Sequence, residues 1–184
     1  MPDDRMLEVV DEKGNVTGRA TRERIHWEGL LHREVHVWLY TPDGCVFLQR
    51  RAMGKDLYPG LLDSSVGGHV EAGSDYLATA VREMREETGI EVDPSLLEFV
   101  TMYRGEFPDE LTGHTNNFLR AEYIYRYDGG TKDLRVEKGE GTGFEAWSVG
   151  RFLPLSEDDR RRIVPGHADG TAAEVFRRIR LKTR

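Results

Sequence analysis

GHVEAGSDYLATAVREMREETGI, from Gly68 to Ile90, is the stretch around which the rest of the chain is organised. Between Asp75 and Thr88 the apolar residues Leu77, Ala80, Val81 and Met84 recur at helical spacing, which predicts a helix with one face built for a core. At ~100° per residue, Glu83, Glu86 and Glu87 fall on one side of that helix and flank the apolar stripe. Three carboxylates so close repel one another, and a cation that neutralises them is the simplest reason to place them there. Oxygen-only donors suit a hard ion, Mg²⁺ first and Mn²⁺ second. A solvated acidic helix face is the ordinary meaning of such a cluster, but the surroundings point elsewhere. Gly67-Gly68 precedes the helix, Ser64-Ser65-Val66 reads as a short extended run, and Gly89 is a helix-ending residue. The carboxylates are thus expected on a loop–helix–loop, aimed sideways.

Composition bounds the remainder. A chain of 184 residues predicts one domain over 1–184 with room for a full core. Its net charge of −7 and pI of about 5.4 argue against gripping duplex nucleic acid through a basic face, although metal ions can bridge an acidic protein to phosphates. Cys45 is the one cysteine, so no intramolecular disulfide forms and a reducing compartment is expected. No run approaches the ~18 apolar residues of a membrane span, and Met1-Pro2-Asp3-Asp4 is no secretory signal. The expectation is a cytoplasmic protein without a membrane partner. Oligomeric state stays open, a homodimer included.

Alternating patterns predict two hairpins. Leu7 to Val10 and Val16 to Thr21 form one, and Val35 to Tyr40 with Cys45 to Arg50 form the other, across Thr41-Pro42-Asp43-Gly44. Leu97 to Tyr103, Asn117 to Tyr127 and Phe144 to Val149 read as further strands, and glycine-rich Asp128 to Gly143 as a loop. Ser156 to Ile163 and a C-terminal stretch at about 171–181 read as helices, the latter opened by Thr171-x-x-Glu174 as a capping box. Strands, helix, strands and terminal helices together predict an α+β chain with a mixed sheet.

These residues resemble a family. Gly68, Arg82, Glu83, Met84, Glu86, Glu87, Gly89 and Ile90 match the signature of the Nudix hydrolases, Gly-x5-Glu-x7-Arg-Glu-U-x-Glu-Glu-x-Gly-U with U aliphatic. Ser74 departs from it, standing where the family has its first Glu. The resemblance covers roughly residues 5–155 and implies an α/β/α sandwich around a mixed β-sheet. It also implies that Glu83 and Glu87 are the principal Mg²⁺ ligands, supported by Glu86 and the Gly67 carbonyl. The family's first Glu mainly pairs with the signature Arg, so Ser74 is expected to loosen Arg82, and its hydroxyl is a candidate N-cap.

The implied chemistry is attack of water on a phosphorus of a small-molecule diphosphate, with the cation offsetting charge on the leaving group. No phosphate-cradling Gly-x-x-x-x-Gly-Lys loop and no Gly-x-Ser-x-Gly elbow offers another route. Glu140 is the candidate general base, because relatives carry acidic residues about seven positions before a Trp such as Trp147. Glu106, Glu110, Glu137 and Glu145 are its rivals. Arg50, Arg51 and Lys55 are candidates for substrate phosphate, with a plain surface role as the alternative for each. His26, the run Leu31–Trp38, Gln49-Arg50-Arg51, Lys55, Tyr58-Pro59-Gly60 and Ser65–His69 look like the branch that includes isopentenyl-diphosphate isomerase. That enzyme has a cysteine where this chain has Gly67, and binds metal through histidines that His26, His32 and His69 echo. Its later glutamates fall on Asn116 or Asn117, so the histidines read as structural. Three functions follow from the resemblance: a Mg²⁺-dependent hydrolase of a nucleoside diphosphate linked to another moiety, an isomerase-like enzyme, or a catalytically weak binding module.

Overall fold

A computed structural model of the chain describes residues 5–55, 57–108, 112–168, 170 and 172–183. The first hairpin pairs β1 (Met6–Val10) with β2 (Val16–Thr21) and stands as its own two-stranded sheet. Its turn is tied by Asp11, which accepts from the Lys13 and Asn15 amides at 2.9 Å. Helix α1 (Arg22–Glu28) follows, which the pattern reading leaves out. Thr21 caps it by accepting from the Arg24 amide, and left-handed Gly29 ends it. With only Ile25 and His26 buried, its stripe is too short for periodicity to register.

The main sheet holds β3 (His32–Tyr40), β4 (Cys45–Arg51), β5 (Leu62–Asp63), β6 (Val66–His69), β7 (Glu98–Pro108), β8 (Thr115–Arg126) and β9 (Gly141–Ser148). Its order is β5-β4-β3-β8-β7, with β6 beside β3 and β9 beside β4. β3 and β8 run parallel and the other pairs antiparallel, so the sheet is mixed. Central β3 touches β4 at Tyr40↔Val46, then takes β6 as its partner over Glu34–Val37.

Two-residue alternation splits the core between the faces of the sheet. Val35, Val37 and Leu39 cluster with Ala80 and Met84 of the motif helix on one face. Trp38 and Tyr40 cluster with Trp147, Phe176 and Ile179 on the other, under α5 (Ala173–Lys182). The result is an α+β fold with helices on both faces of a mixed sheet, as the resemblance implies. Among the described residues no helix is long and apolar enough to cross a membrane.

Several expectations change at this level. Gly67 and Gly68 lie inside strand β6 rather than in a loop. The motif helix is α2 (Tyr76–Glu83), continued by a π-helical turn over Met84–Thr88. Its N-cap is Asp75, whose side chain accepts from the Ala78 amide at 2.8 Å, not Ser74. Ser74 Oγ instead sits 3.2 Å from Thr79 Oγ1. Leu77, expected in the apolar stripe, is 38% exposed. The helix expected over Ser156–Ile163 shrinks to one turn, α3 (Glu157–Arg160), because Ile163 bridges to Leu62 of β5, and a second single turn, α4 (Pro165–Ala168), follows it. Thr171, and with it the expected capping box, lies outside the described residues, as do Glu110 and residues 1–4.

Candidate active site

Where β3 and β4 diverge, a cavity of about 310 Å³ opens, lined by β3, β4, β5, β6 and the motif helix. Glu83, Glu86 and Glu87 from that helix share it with Glu137 and Glu140 from the segment before β9. Glu83 and Glu87 are buried. Gly68 makes this arrangement feasible, since a Cβ there would collide with the Glu83 carboxyl. The π-helical turn then carries Glu87 onto Gln49 of β4, whose Nε2 donates to Glu87 Oε2 at 2.9 Å.

Burial raises the Glu83 carboxyl to about 7, with the Glu86 charge adding to the effect and Arg82 opposing it. Burial also pushes Glu87 well above the usual carboxylate range, helped by the charges of Glu83 and Glu140. Two desolvated carboxylates that repel each other suit a hard divalent cation in both charge and donor chemistry. Glu86 is half-buried on Arg82 at 2.8 Å. Arg82 also meets Glu83 at 2.8 Å and Glu71 at 3.7 Å, so it is held without the family's first Glu.

The cationic candidates separate. Lys55 lines the cavity in an ion pair with Glu140. Arg51 lines it too, donating to Asp63 Oδ2 at 2.7 Å and to the Leu57 carbonyl at 3.0 Å. Arg50 points to the opposite side of β4, onto Glu145 and the Gly60 carbonyl, and does not line the cavity. Among the rival bases Glu137 reaches the cavity, whereas Glu145 is taken by Arg50 and Arg162 and Glu106 is 3.8 Å from Arg104.

The other wall is polar because one face of the β3–β8 pair changes character along its length. His32, Glu34 and His36 stand beside Phe118, Arg120 and Glu122 in parallel register, ahead of Trp38 beside Ile124. His26, His32 and His69 place donor atoms within 4.8 Å of one another. His26 Nε2 lies 3.0 Å from His69 Nε2. Glu34 joins them, accepting from Asn116 at 3.1 Å and from Arg120 at 2.8 and 3.1 Å, with His32 Nε2 at 3.3 Å. Burial lowers His26 to about 4 and holds His69 well below the usual imidazole range, so both rings are neutral at pH 7. Burial works to raise Glu34, but Arg120 and the His32 hydrogen bond outweigh it and keep the carboxylate ionised.

The sequence alone does not mark Glu34, His36, Gln49, Asp63, Arg120, Glu122 and His167 as site residues. His32-x-Glu34-x-His36 carried a usable signal, since period two puts all three on one face of a strand. Their partners on β8 and α4 come from more than 80 residues away, which no local pattern reports.

The NUDIX domain family model matches residues 30–173. An isopentenyl-diphosphate Delta-isomerase of Serratia proteamaculans is 32% identical over 160 residues, 86% of this chain and 83% of that protein. An uncharacterised Nudix hydrolase of Clostridium acetobutylicum is 26% identical over 181 residues, 95% of this chain and 81% of the relative. A Nudix hydrolase of Yersinia pestis is 38% identical, and that match spans 46% of each chain. Among solved structures, DR0079 from Deinococcus radiodurans has a TM-score of 0.66 at 24% identity, covering 95% of this chain and 98% of that one. The NUDIX domain of Shewanella oneidensis NrtR, solved with ADP ribose, has a TM-score of 0.56 at 16% identity, covering 81% and 87%. At these identities the structural likeness establishes the fold alone.

Proposed function

The chain belongs to the NUDIX domain family, and from that membership we propose that it is a Mg²⁺-dependent pyrophosphohydrolase acting on a nucleoside diphosphate joined to a second moiety. The observation that most supports this is the pair of buried carboxylates, Glu83 and Glu87, on the wall of a cavity they share with Glu86 and Glu140. Glu83 and Glu87 would hold the cation, with Glu86 and the Gly67 carbonyl in support. When bound, such a cation offsets phosphate charge and acidifies water.

The chain's own residues account for the remaining roles. Gln49 fixes the Glu87 carboxylate through its amide hydrogen bond. Arg51, anchored by Asp63, and Lys55 face the cavity as the groups that bind substrate phosphate. Glu140, paired with Lys55 on the cavity wall, takes the proton of the attacking water. Arg50 has no part in this reading.

A phosphate-release screen tests it, run across nucleotide sugars, dinucleotides, nucleoside di- and triphosphates and coenzyme A derivatives, with Mg²⁺ and with chelator. Turnover of at least one class that vanishes with chelator is expected. A folded protein silent on every class would favour the binding module instead. The gathered histidines and the Serratia proteamaculans relative favour an isomerase as the second reading. Gly67 weighs against it, because where the resemblance sets the isomerase's cysteine there is no side chain to carry a proton. Interconversion of isopentenyl and dimethylallyl diphosphates would favour that alternative, and none is expected.

A further inference from the structure

A second cluster in the same cavity enters the hydrolase reading only through Asp63, the anchor of Arg51. His36 on β3, Asp63 on β5 and His167 on α4 each offer a donor atom, and the three atoms lie within 4.8 Å of one another. His36 and His167 are 7% and 4% exposed. Each has its Nδ1 buried with no hydrogen-bond partner among the described residues. The Glu122 carboxylate lies 3.7 Å from His36 Nδ1, too far for a hydrogen bond. Buried ring nitrogens are normally satisfied, so an orphan on each of two imidazoles of one cluster needs a reason.

We propose that His36, Asp63 and His167 form a binding site for a borderline divalent cation of the zinc class, separate from the Glu83–Glu87 carboxylates. Two imidazoles and one carboxylate are the donor set of such ions, whereas Mg²⁺ prefers oxygen alone. Their ionisation states favour coordination. Burial keeps the His36 ring neutral, so its lone pair is available. Burial works to raise Asp63, but the His167 hydrogen bond and the Arg51 charge outweigh it, so its carboxylate is already negative. The surroundings hold the donors in place. Asp63 Oδ1 lies 2.6 Å from His167 Nε2, Arg51 grips Asp63 Oδ2, and Trp38 packs edge-on against the His167 ring at 4.9 Å.

A purely structural Asp–His hydrogen bond would account for one nitrogen of His167 and for neither buried Nδ1 atom. Two cations stand close, and both are matched: Arg51 by Asp63, and Arg120 by Glu34 with Glu122 3.9 Å away. All three donors line the cavity, so a coordination position stays open to it. Gly67 guards that position, because a Cβ there would stand 3.0 Å from His36 Cδ2 and 3.2 Å from Nε2. The donors come from three separate elements, so a bound ion would also tie α4 to the sheet.

Zinc titration of the metal-free full chain by calorimetry tests the site, in the presence of excess Mg²⁺. His26→Ala/His69→Ala removes the other histidine cluster, and one zinc equivalent should persist in that variant. Adding His167→Ala to that background should abolish the remaining equivalent or weaken it at least 100-fold, and the near-isosteric Asp63→Asn should weaken it too. No zinc binding in His26→Ala/His69→Ala, or binding that survives both further changes, would overturn the proposal. Because buried substitutions can unfold a chain, zinc-edge anomalous density from zinc-loaded wild-type crystals gives the decision independently. A peak between His36 and His167 supports the site, and a map with no peak there overturns it.

Discussion

Glu87 concentrates the conflict at the residue scale: it is buried, it repels Glu83 and Glu140, and one neutral amide, Gln49, holds it. Glu87→Gln keeps the shape and removes the charge. Turnover on the best substrate should fall at least ~100-fold, a barrier increase of about 2.7 kcal/mol, while the metal-free variant melts no lower than wild type. Steady-state kinetics and a calorimetric melt check both halves, and turnover within a factor of a few of wild type would remove Glu87 from the metal site. Glu140 and Glu137 both reach the cavity, and their variants separate them. Glu140→Gln should lower kcat by ~10²–10⁴ with little change in KM, the range for loss of a general base, and flatten the acidic limb of the pH–rate profile. Glu137→Gln should leave that limb in place. The reverse pattern would transfer the role to Glu137.

At the scale of elements, the cap of the motif helix decides how firmly the carboxylates are presented. Asp75 supplies the side-chain acceptor at its start, so Asp75→Ala should cost about 1 kcal/mol in urea unfolding. Ser74→Ala should cost less than half of that, and a larger cost would return the cap to Ser74. The one-residue difference shows how legibility works here. Ser and Asp are both good caps, and the choice between neighbours rests on backbone angles that composition does not carry. Strands β3 and β4 are legible because the apolar runs Val37–Tyr40 and Cys45–Leu48 flank a Pro- and Gly-bearing turn, Thr41-Pro42-Asp43-Gly44. The three motif carboxylates are legible because their signature is local. The π-helical turn is not, since Met84 to Thr88 reads as ordinary helix. The polar wall is least legible of all: Glu34 and His36 acquire meaning through Arg120 and Glu122 on β8 and through His167 on α4.

Over the whole molecule, the buried charges make stability depend on pH with opposite signs at the two ends. Glu34 and Asp63 have folded pKa values held well below the usual range, so the stability they contribute is present above their unfolded values and lost as pH falls. Glu83 and Glu87 are raised, so in metal-free protein the folded state keeps protons that the unfolded chain releases near 4.5. Their contribution is complete below that pH and lost as pH rises, for Glu83 through about 7. The Glu83 shift from 4.5 to about 7 corresponds to a loss on the order of 3 kcal/mol. Metal-free protein should therefore be most stable at mildly acid pH and lose thermal stability towards neutrality. Mg²⁺ has the opposite effect on that upper limb, because it binds the ionised carboxylates and not the unfolded chain. At a hundredfold excess over its Kd, binding adds about 2.7 kcal/mol, which for a chain of this size raises Tm by about 5–10 °C near pH 7.5 and by far less near pH 5. Melts at both pH values, with Mg²⁺ and with chelator, give the comparison, and Glu87→Gln should lose most of the Mg²⁺-dependent rise. A rise of equal size at both pH values, or one that persists in Glu87→Gln, would place the cation away from the motif helix.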